Sequence, residues 1–249
     1  DLGHYIAGPY CAFLFAGLGA DVVKVERPGT GDGSRQLGPF PKDEPHLEKS
    51  GLFNYLNLGK KSLTVNLKAE AGKDIFRRLV EQSDILIENF EPRVMPSLGF
   101  AYEDLKKINP RLVMLSISNY GQSGPYRDYR GFEITVNALS GFMAEIGEPH
   151  REPIKLGGSQ LQYEAGLAAA FAAMSAICHR DVTGIGQHLD MSIIEVAATL
   201  KGASIMTYQQ QGFYRTRNGV RVPKNPPAPP PANNEPPAGS HIPNGYIGI

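Results

Sequence analysis

The feature that most constrains the fold is an alternation of short apolar segments with amphipathic ones along the first half of the chain. The apolar segments, at residues 22–26, 62–67, 84–88 and 112–117, have the length of buried strands. Helical spacing predicts helices at about 9–18, 69–81 and 102–107, with another starting near Val94. This alternation predicts a doubly wound α/β fold, in which helices cover both faces of a parallel sheet.

A long alanine-rich stretch follows at residues 167–179, with Phe171, Met174 and Ile177 at helical spacing. Alanine has the best helix propensity, and its small side chain lets a neighbouring element approach closely. The stretch is preceded by a Gly-Gly turn, and Thr183-Gly184 is typical of a glycine-capped helix end. We therefore expect a helix packed in the core, followed at 189–194 by a short strand or a second helix start.

Composition narrows the function classes. Lys plus Arg and Asp plus Glu are both 25, and this zero net charge argues against a nucleic-acid partner. No apolar run approaches the roughly 20 residues that span a bilayer, and no secretory signal is visible, so no membrane partner is expected. Cys11 and Cys178 lie in apolar stretches and are expected to be buried free thiols. A cytoplasmic or organellar-matrix enzyme fits these features.

The domain organisation is expected to be one large domain at 1–207, a linker at 208–243, and the start of a smaller domain or a returning segment at 244–249. Residues 223–237 are proline-rich and favour polyproline II, which indicates the linker. Residues 28–58 form a long Gly-, Pro- and charge-rich connection of the kind that often carries function. Asp1-Leu2 is typical of the end of a strand, so the sequence reads as a piece of a longer protein.

Common catalytic and cofactor motifs are missing. The glycine pairs at 17–19 and 29–31 do not complete the dinucleotide fingerprint, and no Walker lysine follows a glycine loop. The six histidines are scattered without metal-ligand spacing, so no metal site is expected. No G-x-S-x-G elbow marks a serine hydrolase. No nicotinamide, flavin or metal cofactor is therefore predicted.

Several short motifs occur in a fixed order over residues 1–200. They include Tyr-x-Ala-Gly-Leu at 163–167, Arg-x-x-Thr-Gly-x-Gly-Gln-x-x-Asp-x-Ser at 180–192, and polar loops at 4–9, 26–35, 66–68, 88–90 and 118–125. In this arrangement the sequence resembles the family III coenzyme A transferases (CaiB/BaiF), a family that also contains acyl-CoA racemases. The resemblance implies a Rossmann-like large domain with a smaller α+β domain, acyl-CoA and carboxylic acid substrates, and an interlocked homodimer.

The resemblance also implies a coenzyme A site at the carboxyl ends of the strands, where open α/β sheets bind ligands. His4, Tyr5, Ile6 and Ala7 would line the entry. Arg35 would pair with a phosphate, because a planar guanidinium forms two charge-assisted hydrogen bonds. The adenine and ribose would lie against Val65, Asn66, Leu67 and Lys68, and the thioester end against Asn89 and Phe90. Ser97 replaces an arginine common in the family, for which Arg93 or Arg130 would compensate.

The expected catalytic positions depart from the family pattern. Where the transferases carry an aspartate that attacks the thioester, this sequence has Gln162, and an amide is a poor nucleophile. Glu164 is a candidate substitute if the backbone there is extended, with Gly157-Gly158 supplying oxyanion donors. A helical backbone would instead separate the two side chains by about 200°. The racemase histidine position holds Phe132-Glu133, which excludes racemisation by that pair.

Three functions remain open from the sequence. The first is a CoA-transferase that moves CoA between an acyl-CoA and a carboxylic acid. The second is an acyl-CoA-binding member of the family without turnover, which Gln162 favours. The third is altered chemistry on a CoA thioester, for which no residue argues specifically.

Overall fold

A computed structural model describes residues 1–212 and 214–217 of the chain. Its strands are β1 (Val23–Glu26), β2 (Lys61–Thr64), β3 (Ile85–Glu88), β4 (Val113–Ser118) and β5 (His188–Ser192). Its α-helices are α1 (Ala7–Gly17), α2 (Gly51–Leu56), α3 (Glu70–Gln82), α4 (Val94–Leu98), α5 (Tyr102–Ile108), α6 (Glu133–Leu139), α7 (Phe142–Glu145), α8 (Gln160–Thr183), α9 (Ile193–Leu200) and α10 (Gly202–Gln211).

All strands are parallel, as predicted. β1 pairs with β2, and a second sheet has the order β3-β4-β5. The first residues connect the two sheets, because the Val25 N–H donates to the Asp1 carbonyl and the Leu2 N–H donates to the Ile87 carbonyl, each at 2.8 Å. Asp1-Leu2 therefore lies between β1 and β3 and bonds both, which agrees with its interpretation as the end of a strand.

The core has two parts on opposite faces of the β3-β4-β5 sheet. One part contains Ile87, Leu115 and Ile117 and packs against α1, α8 and α9. The other contains Leu86 and Met114 and packs against α3, α4 and α5. Because side chains alternate along a strand, β3 and β4 each supply residues to both parts. Helices on both faces of a parallel sheet are the predicted doubly wound arrangement.

Helix α8 is longer than predicted, since it begins at Gln160 instead of residue 167, and it ends at Gly184 in the left-handed conformation (φ 78°). Its alanine face, with Ala165, Ala169 and Ala173, is fully buried. Gly166 permits a close approach to α1, because a Cβ there would lie 2.7 Å from the Ala7 carbonyl oxygen. The strand and the helix start weighed for 189–194 both occur, as β5 and α9.

Two expectations from composition are wrong. Helix α8 has 24 residues and contains an 18-residue window of mean hydropathy 1.2, so by length and composition it could cross a membrane, although the sequence was expected to contain no such run. This is weak evidence for a membrane span, because a core helix of a soluble protein passes the same test. Cys11 is a buried free thiol whose pKa burial raises to about 12, but Cys178 is exposed on α8.

The expected linker start at residue 208 falls inside α10, which continues to Gln211. The rest of the predicted linker and the small-domain segment at 244–249 lie outside the described residues, except for 212 and 214–217. The long connection at 28–58 has two 3-10 turns, Gly33–Gln36 and Pro41–Asp43, and α2. Ser50 holds it together, since its hydroxyl donates to the Ser34 and Leu37 carbonyls at 2.8 and 2.6 Å.

Candidate active site

The predicted binding loops follow the carboxyl ends of neighbouring parallel strands, and the fold therefore brings them to one edge of the sheet. The 4–7 loop and the loop after β3 are directly bonded. The His4 N–H donates to Asn89 Oδ1 at 2.6 Å, and Asn89 Nδ2 donates to the His4 carbonyl at 2.8 Å. The His4 and Phe90 rings lie 5.6 Å apart. Burial, and then the nearby Lys24 and Arg27 cations, lower the pKa of His4 against the opposing effect of Asp32.

A buried ion pair holds the 4–7 loop in position. Lys24 and Asp32 are 2% and 0% exposed, and the Lys24 ammonium donates to Asp32 Oδ2 at 2.8 Å. Asp32 Oδ1 accepts from the Tyr5 and Ser34 N–H groups at 2.9 and 2.8 Å and from the Ser34 hydroxyl. Tyr5 is thereby held in the left-handed region, at φ 62°. We call Tyr5, Lys24, Asp32 and Ser34 the Asp32 cluster.

The electrostatics of the Asp32 cluster agree with a charged pair. Burial alone would raise the pKa of Asp32, but the Lys24 ammonium and the backbone donors hold it below its usual value. Burial lowers the pKa of Lys24, and Asp32 opposes that shift. The cluster is therefore a rigid support in which each charge depends on the other for its solvation.

Next to this support lies a cavity of about 180 Å³. Its wall includes three predicted site residues, Asn89, Phe90 and Arg130, and it extends to Ser118 and Phe132. The Ser118 hydroxyl, which faces this edge from the end of β4, is buried without a hydrogen-bond partner in the described part of the chain. The cavity thus combines an aromatic wall, an exposed arginine and an unsatisfied polar group, as a small-molecule site requires.

The prediction that Arg35 binds a phosphate is not supported by its contacts. Its guanidinium forms a bidentate pair with Glu26, with both N–O distances 2.8 Å, and also bonds Glu48 at 3.0 Å. Its opposite face stacks on Phe53, with the guanidinium carbon 3.7 Å from the ring centre. Hydrogen bonds from Arg35 to Glu26 raise the pKa of this arginine. Arg35 therefore holds the 28–58 connection in place, and its guanidinium is already bonded to Glu26 and Glu48.

Arg27, which was not predicted as a site residue, is better placed than Arg35 to contact a phosphate. It directly follows β1 at the same edge, is exposed, and lies close enough to His4 to lower that residue's pKa. Within residues 1–212 and 214–217 its side chain has no ion pair. The signal was available in the sequence, since a polar residue immediately after a parallel strand is where such folds contact ligands.

The remaining predicted cofactor residues divide into exposed and buried groups. Asn66 and Lys68 are exposed, and Asn66 Oδ1 accepts the Lys68 N–H at 3.0 Å, which closes the loop after β2. Ile6, Ala7 and Val65 are 8%, 0% and 5% exposed, so their side chains belong to the core and only their backbone is available at the edge. Leu67 also packs against the core. Arg93 pairs with the exposed Asp128 at 3.3 Å, which leaves Arg130 as the freer replacement.

The catalytic positions lie in the first turns of α8. Gln162 and Glu164 both have helical backbone, so their side chains are directed about 200° apart around the helix axis. The extended conformation on which Glu164 depended as a substitute is therefore absent. The Gly158 carbonyl accepts from Lys155 Nζ at 2.5 Å, which orders the preceding turn.

A different carboxylate lies beside this helix end. Glu133, at the start of α6, accepts the Leu161 N–H on Oε1 at 3.1 Å, while its Oε2 is buried with no partner among the described residues. Asn137 Nδ2 also approaches Oε1, at 3.3 Å. From the sequence, Phe132-Glu133 was identified only as the replacement of a racemase histidine, and Glu133 was not predicted to be a site residue. We call Glu133, Asn137 and Leu161 the Glu133 cluster; Gln162 is the next residue of α8 after Leu161.

Comparisons with known proteins agree with this architecture. The sequence profile of CoA-transferase family III matches residues 1–230. The chain is 38% identical over 224 residues to the acetyl-CoA:oxalate CoA-transferase of Acetobacter aceti, covering 90% of this chain and 56% of that protein. It is 36% identical over 214 residues to the succinate–glutarate CoA-transferase of Agrobacterium fabrum, covering 85% and 54%.

The fold has a close match among solved structures. A CaiB/BaiF family protein from Brucella suis superposes with a TM-score of 0.83 at 36% identity, over 91% of this chain and 60% of that one. The chain spans about half the length of the curated relatives it matches. The ordered loops at the sheet edge, the superposition and the profile match over nearly the whole chain together show that this chain belongs to CoA-transferase family III.

Proposed function

We propose that the protein is a CoA-transferase, which moves CoA from an acyl-CoA to a carboxylic acid. The observation that carries this proposal is the convergence of Asn89, Phe90 and Arg130 on one cavity at the carboxyl edge of the sheet. The relatives named as CoA-transferases support the same reaction. No substrate pair is specified by the described residues.

The charges at the edge suggest how CoA binds. Arg27, Lys68 and Arg130 are exposed cations that would contact the phosphates, in place of the occupied Arg35. The His4-Tyr5 backbone and the Asn89-Phe90 loop would hold the pantetheine and the thioester. The Asp32 cluster keeps this wall in position, because the Tyr5 N–H is one of its hydrogen bonds. Preorganised groups of this kind reduce the entropy lost on binding.

The transfer requires a carboxylate that attacks the thioester carbonyl carbon. A mixed anhydride then forms, the carbon–sulfur bond breaks, and CoA leaves as the thiolate. Gln162 cannot form the anhydride, and the Glu164 side chain is directed away from that of Gln162 around the helix axis. We propose Glu133 as the attacking carboxylate, because its Oε2 has no partner in the described structure and the carboxylate lies beside the start of α8. This oxygen is buried, so the attack requires the bound substrate to displace the residues that cover it.

Binding without turnover is the second candidate function, and Gln162 is the observation that favours it. The two candidates differ in whether an acyl group ever reaches the protein. Acetyl-CoA with oxalate, and succinyl-CoA with glutarate, are suitable probe pairs because they follow the names of the two relatives. Exchange is measured by chromatography of the CoA esters, and CoA binding by calorimetry.

Hydroxylamine trapping with peptide mass spectrometry locates the attacking group. In the parent chain we expect exchange together with a hydroxamate at Glu133. Both should be lost in Glu133→Gln and retained in the matched variant Glu164→Gln. CoA binding without exchange or a trapped peptide would favour the binding-only function. In that case Gln162→Asp should restore a trapped acyl group at position 162. Absence of CoA binding would contradict both candidates.

A homodimer is also proposed, with α8 as part of its interface. Leu167, Phe171 and Met174 are 52%, 77% and 45% exposed and follow one another at helical spacing, so they form an apolar stripe. A second copy of the chain would cover this stripe. Light scattering should show a dimer that Phe171→Ser dissociates and that the control Ile75→Ser, on α3, leaves intact. A monomeric parent chain would contradict the proposal.

A cytoplasmic or organellar-matrix location is proposed because the chain belongs to CoA-transferase family III.

A further inference from the structure

A buried polar network lies beneath the Asn89-Phe90 loop. Glu88, the last residue of β3, is 3% exposed, and Ser116 of β4 is 1% exposed. They are register partners in neighbouring strands, and the Ser116 hydroxyl bonds the Glu88 carboxylate. On the other side of Ser116, its Oγ lies 2.9 Å from His188 Nε2 on β5. Three polar side chains thus form a continuous chain across three strands.

The network ends on the backbone of the candidate site. Glu88 Oε2 accepts the Phe90 N–H at 2.8 Å, and Asn89 lies between the two residues. Phe90 lines the cavity and contacts the His4 ring, while Asn89 bonds the His4 backbone. The Glu88 carboxyl group therefore sets the conformation of the loop that carries both residues.

A serine hydroxyl can connect the two titratable groups in either protonation state. When Glu88 is neutral, its O–H donates to Ser116, which donates to His188 Nε2. When Glu88 is ionised, Ser116 donates to the carboxylate and accepts from His188 Nε2–H. When Glu88 loses its proton to solvent, the hydrogen bonds reverse, and neutral His188 changes from an acceptor to a donor at Nε2.

We propose that Glu88 is a positioning residue for the Asn89-Phe90 loop, and that Ser116 and His188 couple its protonation to the tightness of that loop. The ionised carboxylate is the stronger acceptor for the Phe90 N–H, because charge-assisted hydrogen bonds are stronger than neutral ones. The loop is therefore tightest, and acyl-CoA binding strongest, when Glu88 is ionised. This inference deepens the proposed function and rests on acyl-CoA binding at this loop.

The charged surroundings favour titration in the neutral range. Burial raises the pKa of Glu88 to about 7, against the Ser116 and Phe90 hydrogen bonds, and Asp190 of β5 adds to the rise. Burial lowers the pKa of His188, while Asp190 and Glu103 of α5 oppose that shift. Tyr102 of α5 stacks on His188 at 5.2 Å, and Lys106 lies 5.9 Å from the Tyr102 ring.

The first experiment follows the Phe90 amide by NMR in the whole 249-residue chain between pH 5.5 and 8.5. We expect its shift to titrate with a midpoint near 7 in the parent chain and not to titrate in Glu88→Gln. In Ser116→Ala the midpoint should rise, because the carboxylate loses a donor, whereas Ser116→Thr retains the hydroxyl and the midpoint. Glu70→Gln, an exposed change on α3 outside the network, is the matched control and should leave the amide titration and its midpoint in place.

The second experiment measures the affinity for free CoA by calorimetry over the same pH range. The parent chain should bind CoA about fivefold more tightly above pH 7 than below it. Glu88→Gln is the reference, because the CoA phosphates titrate equally in both proteins. A Phe90 amide that does not titrate, or whose midpoint is the same in Ser116→Ala, overturns the inference. If CoA does not bind at all, the proposed function fails, while the amide titration still decides the role of Glu88.

Discussion

The Asp32 cluster and the Glu133 cluster lie in the same candidate site but are built differently. In the Asp32 cluster, a buried carboxylate has an ammonium and three further donors around it. In the Glu133 cluster, one carboxylate oxygen is buried without a partner in the described structure, and the neighbouring family position holds the neutral Gln162. A fully bonded cluster is a rigid support, whereas a buried oxygen without a partner is a costly arrangement that calls for a functional explanation.

The strongest test of the comparison is Asp32→Asn. This change removes the ionised partner of buried Lys24 at 2.8 Å and leaves only the Asp1 carboxylate at 3.6 Å, so we expect a loss of about 3–5 kcal/mol in the free energy of unfolding. CoA affinity should fall less, because an amide oxygen at position 32 still accepts the Tyr5 N–H, although as a weaker, neutral acceptor. Urea denaturation and calorimetry measure the two effects. The matched variant Asp21→Asn, which breaks the exposed 2.7 Å pair with Lys61, should cost at most about 1 kcal/mol.

If the two aspartate variants lose similar stability, the Asp32 cluster is no more important than a surface ion pair. The comparison with the Glu133 cluster would then fail. Glu133→Gln provides the opposite expectation, since it retains an acceptor for the Leu161 N–H and should affect exchange far more than unfolding.

The second test concerns the dependence of stability on pH. The pKa of Glu88 is raised from 4.5 to about 7 in the folded protein, so protonation favours the folded state. This contribution is complete below pH 4.5 and is lost as the pH rises to about 7. Relative to Glu88→Gln, the parent chain should lose about 3 kcal/mol across that range. Urea denaturation at a series of pH values measures the difference, and parallel curves for the two proteins would contradict it.

The smallest expected effect separates two arginines. Arg35→Gln should lower the free energy of unfolding by about 2 kcal/mol, because the bidentate contact with Glu26 is lost. Arg27→Gln should leave unfolding unchanged and weaken CoA binding about two- to fivefold, since it removes one exposed phosphate contact. Calorimetry and urea denaturation of both variants give the result. The reverse pattern would restore Arg35 as the phosphate ligand.

Much of the fold follows from the sequence because strands and helices have different apolar periods. The segments around β3, β4 and α3 are predicted to within one residue at each end, as each is short and uniformly patterned. The start of α8 is missed because Gln160 to Gly166 is polar and glycine-containing, and its helical conformation depends on packing against α1. The exposure of Cys178 is likewise a property of the packed helix and not of its local composition.

Individual side-chain roles in the site are less predictable. The cavity residues Asn89 and Phe90 follow from the end of β3, where parallel strands bring their loops together. Arg130 was expected only from the family resemblance, as a replacement for the arginine missing at Ser97. The strand end points to Arg27, but the engagement of Arg35 cannot be predicted from the sequence, since only the folded 28–58 connection places Glu26 and Phe53 against it. The partnerless Oε2 of Glu133 depends on the contact between α6 and α8, which no local pattern encodes.

The close contact at Gly166 has a consequence for the size of substrate that the site can accept. Because the backbone of α8 lies directly against Ala7, the separation between the His4-Tyr5 loop and the start of α8 is set by main-chain atoms. Ordinary side-chain substitutions cannot shorten that separation, and a methyl group at residue 166 would increase it. Within the proposed function, changes of acyl specificity in this half of the protein would therefore arise at residues around the cavity, while the spacing of the two helices stays constant.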